Sequence, residues 1–122
     1  LRVGVAAHTP LLADAVLPFR DALRASALRP PVIPVVAGID AALVTTRERA
    51  IESLAAHVAR PIEWAQCLDT LHERGCRVFL ELTPGQALSR MARERFEDVE
   101  ARAVEEFSGP GAVAQWVARR TG

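Results

Sequence analysis

Residues 77–91, RVFLELTPGQALSRM, give the clearest evidence for the fold of this chain. The first part, residues 77–82, is a compact apolar run typical of a buried strand. Pro84-Gly85 is a turn signal, and after it Leu88 and Met91 recur at helical spacing. The stretch therefore predicts a strand that is followed directly by a helix, which is the repeating unit of α/β proteins.

The same alternation extends over the rest of the chain. Short apolar runs predict further strands at residues 2–6, 32–36 and 101–104. The run at 32–36 is continuous and β-branched, which indicates a strand buried on both faces, although Pro34 also allows an edge position. We therefore expect an α/β fold in which short parallel strands are covered by helices.

Capping and breaking residues predict where the helices begin and end. The first helical stripe starts at Leu12, and Pro18 inside it predicts a kink or a late helix start. Thr45-Thr46-Arg47-Glu48 matches a capping box that opens a second helix. A third helix is expected to carry Pro61 in its first turn and Trp64 on its buried face. The last helix is expected to be capped by residues 108–110 and to bury Trp116.

The composition is that of a globular protein without excess charge. Fifteen arginines balance fifteen acidic residues, and lysine is absent, so we expect no nucleic-acid partner. No apolar run approaches the roughly 20 residues of a membrane span, and no segment resembles a signal peptide, so we expect no membrane partner. Cys67 and Cys76 are too few for a zinc cluster. Together these features predict a protein of the reducing cytoplasm.

His8 is the candidate functional residue that the sequence itself indicates. It follows the strand predicted at residues 2–6 and precedes the first helix. Open turns at the ends of strands are where α/β enzymes place their catalytic groups. The other two histidines, His57 and His72, lack the spacing of metal ligands, so we expect no metal site.

Four segments, in this order, resemble the C-terminal half of malonyl-CoA:acyl-carrier-protein transacylases. They are His8-Thr9-Pro10-Leu11-Leu12, Ile33-Pro34-Val35-Val36, residues 54–64 (LAAHVARPIEW) and residues 80–88 (LELTPGQAL). The resemblance implies that residues 1–122 form the C-terminal portion of a malonyl-CoA acyltransferase domain. The fold implied is the C-terminal part of an α/β-hydrolase-like acyltransferase core. The N-terminal nucleophile half and the small subdomain of that family have no counterpart in the sequence.

The resemblance also implies a mechanism and its residues. In the family a histidine is the general base of a Ser-His dyad, and this role falls on His8. The main-chain carbonyl that orients the base falls on His57, where the family has glutamine. Malonyl passes from malonyl-CoA, through an acyl-serine, to the phosphopantetheine-type thiol of an acyl carrier protein, with no permanently bound cofactor. The chain has no G-x-S-x-G, and its four serines lie in predicted helices or caps: Ser26, Ser53, Ser89 and Ser108.

The pathway and the partners follow from the same resemblance. Residues 102–107 and the helix around Trp116 resemble the end of the malonate decarboxylase epsilon (acyltransferase) subunit more than the fatty acid biosynthesis enzymes. The stretch Val5-Ala6-Ala7-His8 matches neither of the forms used to assign acyl selectivity. The expected partners are an acyl carrier protein and the missing N-terminal half of the domain. The alternative is a non-catalytic α/β interaction module that retains the second half of the fold.

Overall fold

The computed structural model describes residues 6–82 and 84–122, which form two compact units. The first unit, Leu1–Thr70, contains the elements Pro10–Ala15 (3₁₀), Val16–Ala25 (α1), Val35–Val36 (β1), Leu43–Val44 (β2) and Arg47–His57 (α2). The helix Trp64–Glu73 (α3) includes residues of both units. The second unit, Leu71–Gly122, contains Val78–Glu81 (β3), Ala87–Arg95 (α4), Glu100–Ala103 (β4), Val104–Glu106 (3₁₀) and Pro110–Thr121 (α5). The α/β fold class is confirmed.

The first helical stripe has the late start that Pro18 predicted. A 3₁₀ helix comes first, and Leu12 inside it has non-helical backbone angles, φ −101° and ψ 18°. The regular helix α1 begins only at Val16, so Pro18 lies in its first turn. Proline is tolerated there because the first amides of a helix have no intrahelical acceptor.

The strand predicted at residues 32–36 is largely absent, and the prediction that it is buried and parallel is wrong. Only Val35–Val36 form β1, and they pair antiparallel with β2. Val32 is 98% exposed and Ile33 is 72% exposed. Pro34 has no N–H for a ladder, which agrees with a strand that begins after it. The strand predicted at residues 2–6 lies outside the described residues except for Ala6.

The second and third helices exist as predicted, but their N-termini differ from the prediction. The side chain of Thr46 caps α2 by accepting a 3.1 Å hydrogen bond from the Arg49 amide, so the cap is one residue later than the predicted box. The helix α3 begins at Trp64, so Pro61 lies before it and not in its first turn. Trp64 is 42% exposed, so its expected burial is also wrong.

The core of the first unit forms where α2 packs beside the strand pair. Ala37, Ile39 and Val44 are buried together, and Ala50 and Ala56 of α2 pack against them. The helix α2 also packs along α1.

The second unit contains the strand–helix unit on which the fold prediction was based. β3 and β4 pair in parallel, with Val78 opposite Glu100 and Glu81 opposite Ala103, so a parallel pair is confirmed here. The helix α4 packs on both strands, and α5 contacts β3. Trp116 of α5 is 7% exposed, which confirms its predicted burial.

Glu81, the last residue of β3, caps the helix that follows it. Its carboxylate accepts a 2.7 Å hydrogen bond from the Ser89 amide and a 3.2 Å bond from the Leu88 amide. Burial alone would raise the pKa of Glu81, but these amide donors and the charge of Arg93 outweigh it and hold that pKa below its ordinary value of 4.5. The acidic residue at the end of the strand therefore fixes the start of α4.

Candidate functional site

His8 lies in the turn before the 3₁₀ helix, in a conformation that few residues other than glycine adopt. Its φ is +62°, in the left-handed region. The backbone on both sides is tied down: the His8 amide donates to the Val58 carbonyl at 2.9 Å, and the Thr9 hydroxyl donates to the Ala6 carbonyl at 2.7 Å. Such a strained residue persists only where its surroundings hold it, and this occurs most often at functional sites.

The imidazole of His8 is oriented by the main chain of His57. The distance between His8 Nδ1 and the carbonyl oxygen of His57 is 2.6 Å. Because a carbonyl oxygen can only accept, Nδ1 carries the proton in this contact. In the neutral ring, Nε2 is then left with a free lone pair, which is the state that a general base requires.

The sequence after α2 explains why the His57 carbonyl is available. The helix ends at His57, and its last four carbonyls have no partner further along the same helix. An α-helical bond to the His57 carbonyl would come from the amide of residue 61, and Pro61 has no N–H. The side chain of His8 takes that free carbonyl, and its amide takes the next one, on Val58.

The C-terminal end of α2 also provides a favourable electrostatic setting for His8. Helix C-termini carry partial negative charge, which stabilises a nearby cation by about 0.3–1 kcal/mol at exposed positions. When His8 accepts a proton, the resulting imidazolium therefore keeps its bond to the His57 carbonyl and faces the negative end of the dipole.

The side chain of His57 lies beside His8, and one of its ring nitrogens is buried without a hydrogen-bond partner among the described residues. Nε2 of His57 is buried, and no described residue is within hydrogen-bonding reach of it. The two rings meet edge to face, with centroids 5.3 Å apart. Burial, and then the charge that His8 can carry, lower the pKa of His57 below its ordinary value of 6.5. The His57 ring is therefore neutral at pH 7.

A largely apolar cavity of about 240 Å³ adjoins His57. It is lined by residues of β1, β2, α2 and the loop before β1, among them Leu28, Val36, Val44, Ser53 and His57. Ser53 is 7% exposed, and its hydroxyl has no partner among the described residues.

Two of the four serines have hydroxyls that hydrogen-bond to carbonyls of their own segments. The Ser26 hydroxyl donates to the Leu23 carbonyl at 2.6 Å, and the Ser89 hydroxyl donates to the Gln86 carbonyl at 3.2 Å. Ser108 precedes α5. Within residues 6–82 and 84–122, no serine hydroxyl is hydrogen-bonded to His8.

Two further classes of site find no support in the part of the chain that the structure describes. No group of three or more histidine, cysteine or acidic side chains there could hold a metal ion. None of the helices in residues 6–82 and 84–122 is long and apolar enough to cross a membrane.

Known proteins resemble this chain in both sequence and structure. A probable mitochondrial malonyl-CoA-acyl carrier protein transacylase of Drosophila melanogaster is 33% identical over 109 residues, an alignment that covers 86% of this chain and 28% of the relative. The crystal structure of a malonyl-CoA:acyl carrier protein transacylase from Xanthomonas oryzae superposes with a TM-score of 0.82 at 27% identity, covering 98% of this chain and 37% of that one. These similarities support a relationship of this chain to the malonyl-CoA:acyl-carrier-protein transacylase family. No model of a known protein family matches the chain.

Malonyl-CoA:acyl-carrier-protein transacylases also share the fold with this chain at lower sequence identity. A malonyl-transacylase in complex with a type II polyketide synthase acyl-carrier protein superposes with a TM-score of 0.84 at 22% identity, over 98% of this chain and 38% of that one. The chain therefore has an α/β acyltransferase fold. It spans about a third of the length of the transacylases that it matches.

Sequence reasoning missed the roles of three residues, two in the first unit and one in the second. Pro61 was predicted to lie in the first turn of a helix, whereas it follows His57 by four residues and has no N–H to donate to that carbonyl. Glu81 carried no expected role although it caps α4. Gly38, which lies against the His57 ring, had no signal in the sequence because its neighbour is nineteen positions away (57 − 38).

Proposed function

We propose that this chain supplies the general base of a malonyl-CoA:acyl-carrier-protein transacylase, and that the base is His8. The observation that carries the proposal is the 2.6 Å contact between His8 Nδ1 and the His57 carbonyl, which leaves His8 Nε2 free to accept a proton. The similarity to transacylases over nine-tenths of the chain or more supports the same reaction class.

The reaction has two matched halves. His8 Nε2 takes the proton of a serine hydroxyl supplied by the rest of the protein, and the serine oxygen attacks the thioester carbonyl of malonyl-CoA. The carbon–sulfur bond breaks, the imidazolium returns its proton to the departing CoA sulfur, and malonyl-serine remains. A carrier-protein thiol then gives its proton to His8 and attacks the ester, and the serine oxygen recovers that proton as it leaves.

The environment of His8 supports both halves. The His57 carbonyl accepts the Nδ1 proton throughout, so the ring keeps one orientation while Nε2 gains and loses its proton. The neutral ring of His57 places no second cation beside the transient imidazolium. General-base catalysis by such a group contributes about 10²–10⁴-fold in rate.

The rest of the acyltransferase domain is the second partner that we propose. Several large apolar side chains of the first unit are exposed, most of them before or within the strand pair and α2: Leu11, Leu17, Phe19, Val32, Ile33, Val35 and Leu54. Val32, Ile33 and Val35 are near neighbours along the chain, and adjoining exposed apolar side chains often mark a surface that binds another protein. Covering them with the nucleophile-bearing part of the domain would bring its serine to His8.

The carrier protein and the cellular setting are the finer parts of the proposal. The relatives named above act with acyl carrier proteins, and one of them is seen with its carrier. The carrier of malonate decarboxylase is the specific candidate, since residues 102–107 and the final helix resemble its acyltransferase subunit. Both cysteines are free, in keeping with the reducing cytoplasm. Comparing transfer to the two kinds of carrier protein distinguishes malonate decarboxylase from fatty acid biosynthesis.

The experiment combines this chain with the polypeptide that carries the serine and adds malonyl-CoA. Mass spectrometry is expected to find malonyl on one serine of that polypeptide, and a holo carrier protein is expected to remove it. If no serine is acylated by a mixture that forms a stable complex, the chain is instead a non-catalytic interaction module.

A further inference from the structure

The backbone of Gly38 approaches the ring of His57 more closely than any side chain would allow. A Cβ atom at position 38 would lie 2.5 Å from His57 Nε2 and 2.8 Å from its Cε1. It would also lie 2.9 Å from Cγ2 of Ile62. Carbon atoms in favourable contact are about 3.5–4.0 Å apart, so every one of these contacts is a clash.

Gly38 cannot easily move away from the ring, because the backbone around it is hydrogen-bonded. Its carbonyl accepts a 2.7 Å bond from the Glu63 amide. The neighbouring Ala37 is buried, its amide donates to the Ala42 carbonyl at 2.8 Å, and its carbonyl accepts from the Ala41 amide at 2.8 Å. The backbone at Gly38 is thus held in place next to the His57 ring.

The His57 ring also meets the ring of His8, edge to face. The ring centroids are 5.3 Å apart, and the buried Nε2 of His57 has no hydrogen-bond partner among the described residues that could hold the ring in place. Packing therefore fixes the position of the ring, and the backbone of Gly38 is part of that packing. The carbonyl that orients His8 belongs to the same residue, so a displaced ring disturbs the 2.6 Å contact.

We propose that Gly38 is a positioning residue: by admitting the His57 ring against its backbone, it keeps the His57 carbonyl in line with Nδ1 of His8. The inference rests on the proposed function for its catalytic meaning. The contacts among Gly38, His57 and His8 lie within this chain, so they can be measured without the rest of the domain. The partner of Gly38 is the side chain of His57, whereas the partner of His8 is the carbonyl of His57.

The test is histidine NMR on the full chain, with ¹⁵N in the imidazole rings. In the wild type, the ring nitrogens of His8 are expected to report the tautomer with the proton on Nδ1 and slow exchange of that proton. Gly38→Ala is expected to shift the signals of both rings and to speed exchange of the Nδ1 proton of His8 by about tenfold, which is the loss of one hydrogen bond of about 1.4 kcal/mol. Gly111→Ala is the matched control, because a Cβ there meets nothing within 4 Å.

The double variant Gly38→Ala/His57→Ala separates the ring contact from other strain. Removing the ring while keeping the carbonyl removes the two shortest clashes. Gly38→Ala should therefore change the His8 signals strongly in the wild type and little in the His57→Ala background.

Three results would overturn the proposal. They are unchanged His8 and His57 signals in Gly38→Ala, an equal effect of Gly38→Ala in both backgrounds, and loss of the fold in both the single and the double variant. Loss of the fold in the single variant alone, with the double variant folded, supports the ring contact. The NMR signals do not depend on acyl transfer, so a failure of the transacylase assay would refute the proposed function without refuting the role of Gly38.

Discussion

His8 is joined to the last residue of a helix that lies 49 positions further along the chain, with its Nδ1 atom 2.6 Å from the carbonyl oxygen of His57. The next carbonyl, on Val58, accepts the His8 amide at 2.9 Å. One residue thus satisfies two adjacent carbonyls at a helix C-terminus, through its ring and through its backbone. This double anchor agrees with the left-handed φ of His8, which the chain would not otherwise hold.

Replacing Pro61 should weaken this contact without touching either histidine. Pro61→Ala supplies an N–H four residues after His57, which can extend α2 and compete for the same carbonyl. One hydrogen bond is worth about 0.5–1.5 kcal/mol, so the preference of His8 for the Nδ1 proton should fall by about 2- to 10-fold. The ¹⁵N shifts of the His8 ring measure this preference.

Pro110→Ala is the control for that substitution. Pro110 is the first residue of α5, where a missing amide hydrogen has no consequence for the helix. Identical His8 shifts in Pro61→Ala and Pro110→Ala would show that the proline has no part in keeping the carbonyl free.

The lowered pKa of His57 predicts a stability that declines in mild acid. Burial, and then the charge of His8, hold this pKa below 6.5, so protons bind the unfolded chain more readily than the folded one. The contribution is complete above about pH 6.5 and is lost as the pH falls from there towards the folded-state pKa. Urea unfolding at pH 7.5 and at pH 5.5 should show a smaller decline in His57→Gln than in the wild type. Equal declines would mean that the environment of His57 does not disfavour its charge.

Glu81 should contribute to stability as the cap of α4. Glu81→Ala removes the acceptor of two amides and should lower the free energy of unfolding by about 0.5–2 kcal/mol, the usual range for a helix cap. Because the pKa of Glu81 is held below 4.5, its contribution is present above that pH and lost as the pH falls through the folded-state value. Glu94→Ala, at an exposed position of the same helix, should change stability by less than about 0.5 kcal/mol. An equal loss of unfolding free energy in Glu81→Ala and Glu94→Ala would contradict the role of Glu81 as a cap.

Two glycines should respond in opposite directions to alanine. Gly75 follows the end of α3 and has φ +90°. Its amide donates to the His72 carbonyl, and the Cys76 amide donates to the Leu71 carbonyl. These two bonds form a Schellman motif with Gly75 in the left-handed region, so Gly75→Ala should destabilise the chain by about 1 kcal/mol through backbone strain alone. Gly111, inside α5, should gain up to about 1 kcal/mol on the same change. Urea unfolding curves compare the two, and a shift of the same sign in both would refute the assignment.

The strand–helix unit of residues 77–91 could be predicted because its information is local. A compact apolar run, a Pro-Gly turn and helical spacing all occur within fifteen residues, and the structure has the strand and the helix where they were expected. The pairing of β1 with β2 could not be predicted in the same way. It depends on which segment lies next to Val35–Val36 in space, and the apolar run gave no information on that.

The candidate site shows the same division between local and distant information. The position of His8 after a strand-like run was visible in the sequence, but the partner of its ring came only from the resemblance to a family. Trp64 was expected inside because its spacing puts it on the apolar face of the third helix, and it is 42% exposed because burial depends on what else packs there. Pro61 was assigned to the first turn of the third helix, whereas counting four residues back would have shown that it cannot donate to the His57 carbonyl.

The rate at which malonyl-CoA acylates the nucleophilic serine tests the role of His8 most directly. It would be measured by rapid quench and mass spectrometry on His8→Ala, on His72→Ala as the control, and on the wild type, each combined with the serine-bearing polypeptide. His72 lies in the second unit, where its Nε2 is 2.7 Å from a carboxylate oxygen of Asp98, so the change leaves the His8–His57 contact untouched. If His8 is the general base, His8→Ala reduces the rate about 10²–10⁴-fold, while circular dichroism and unfolding show an intact fold and His72→Ala reacts at the wild-type rate. An unchanged rate in a folded His8→Ala variant would contradict the assignment.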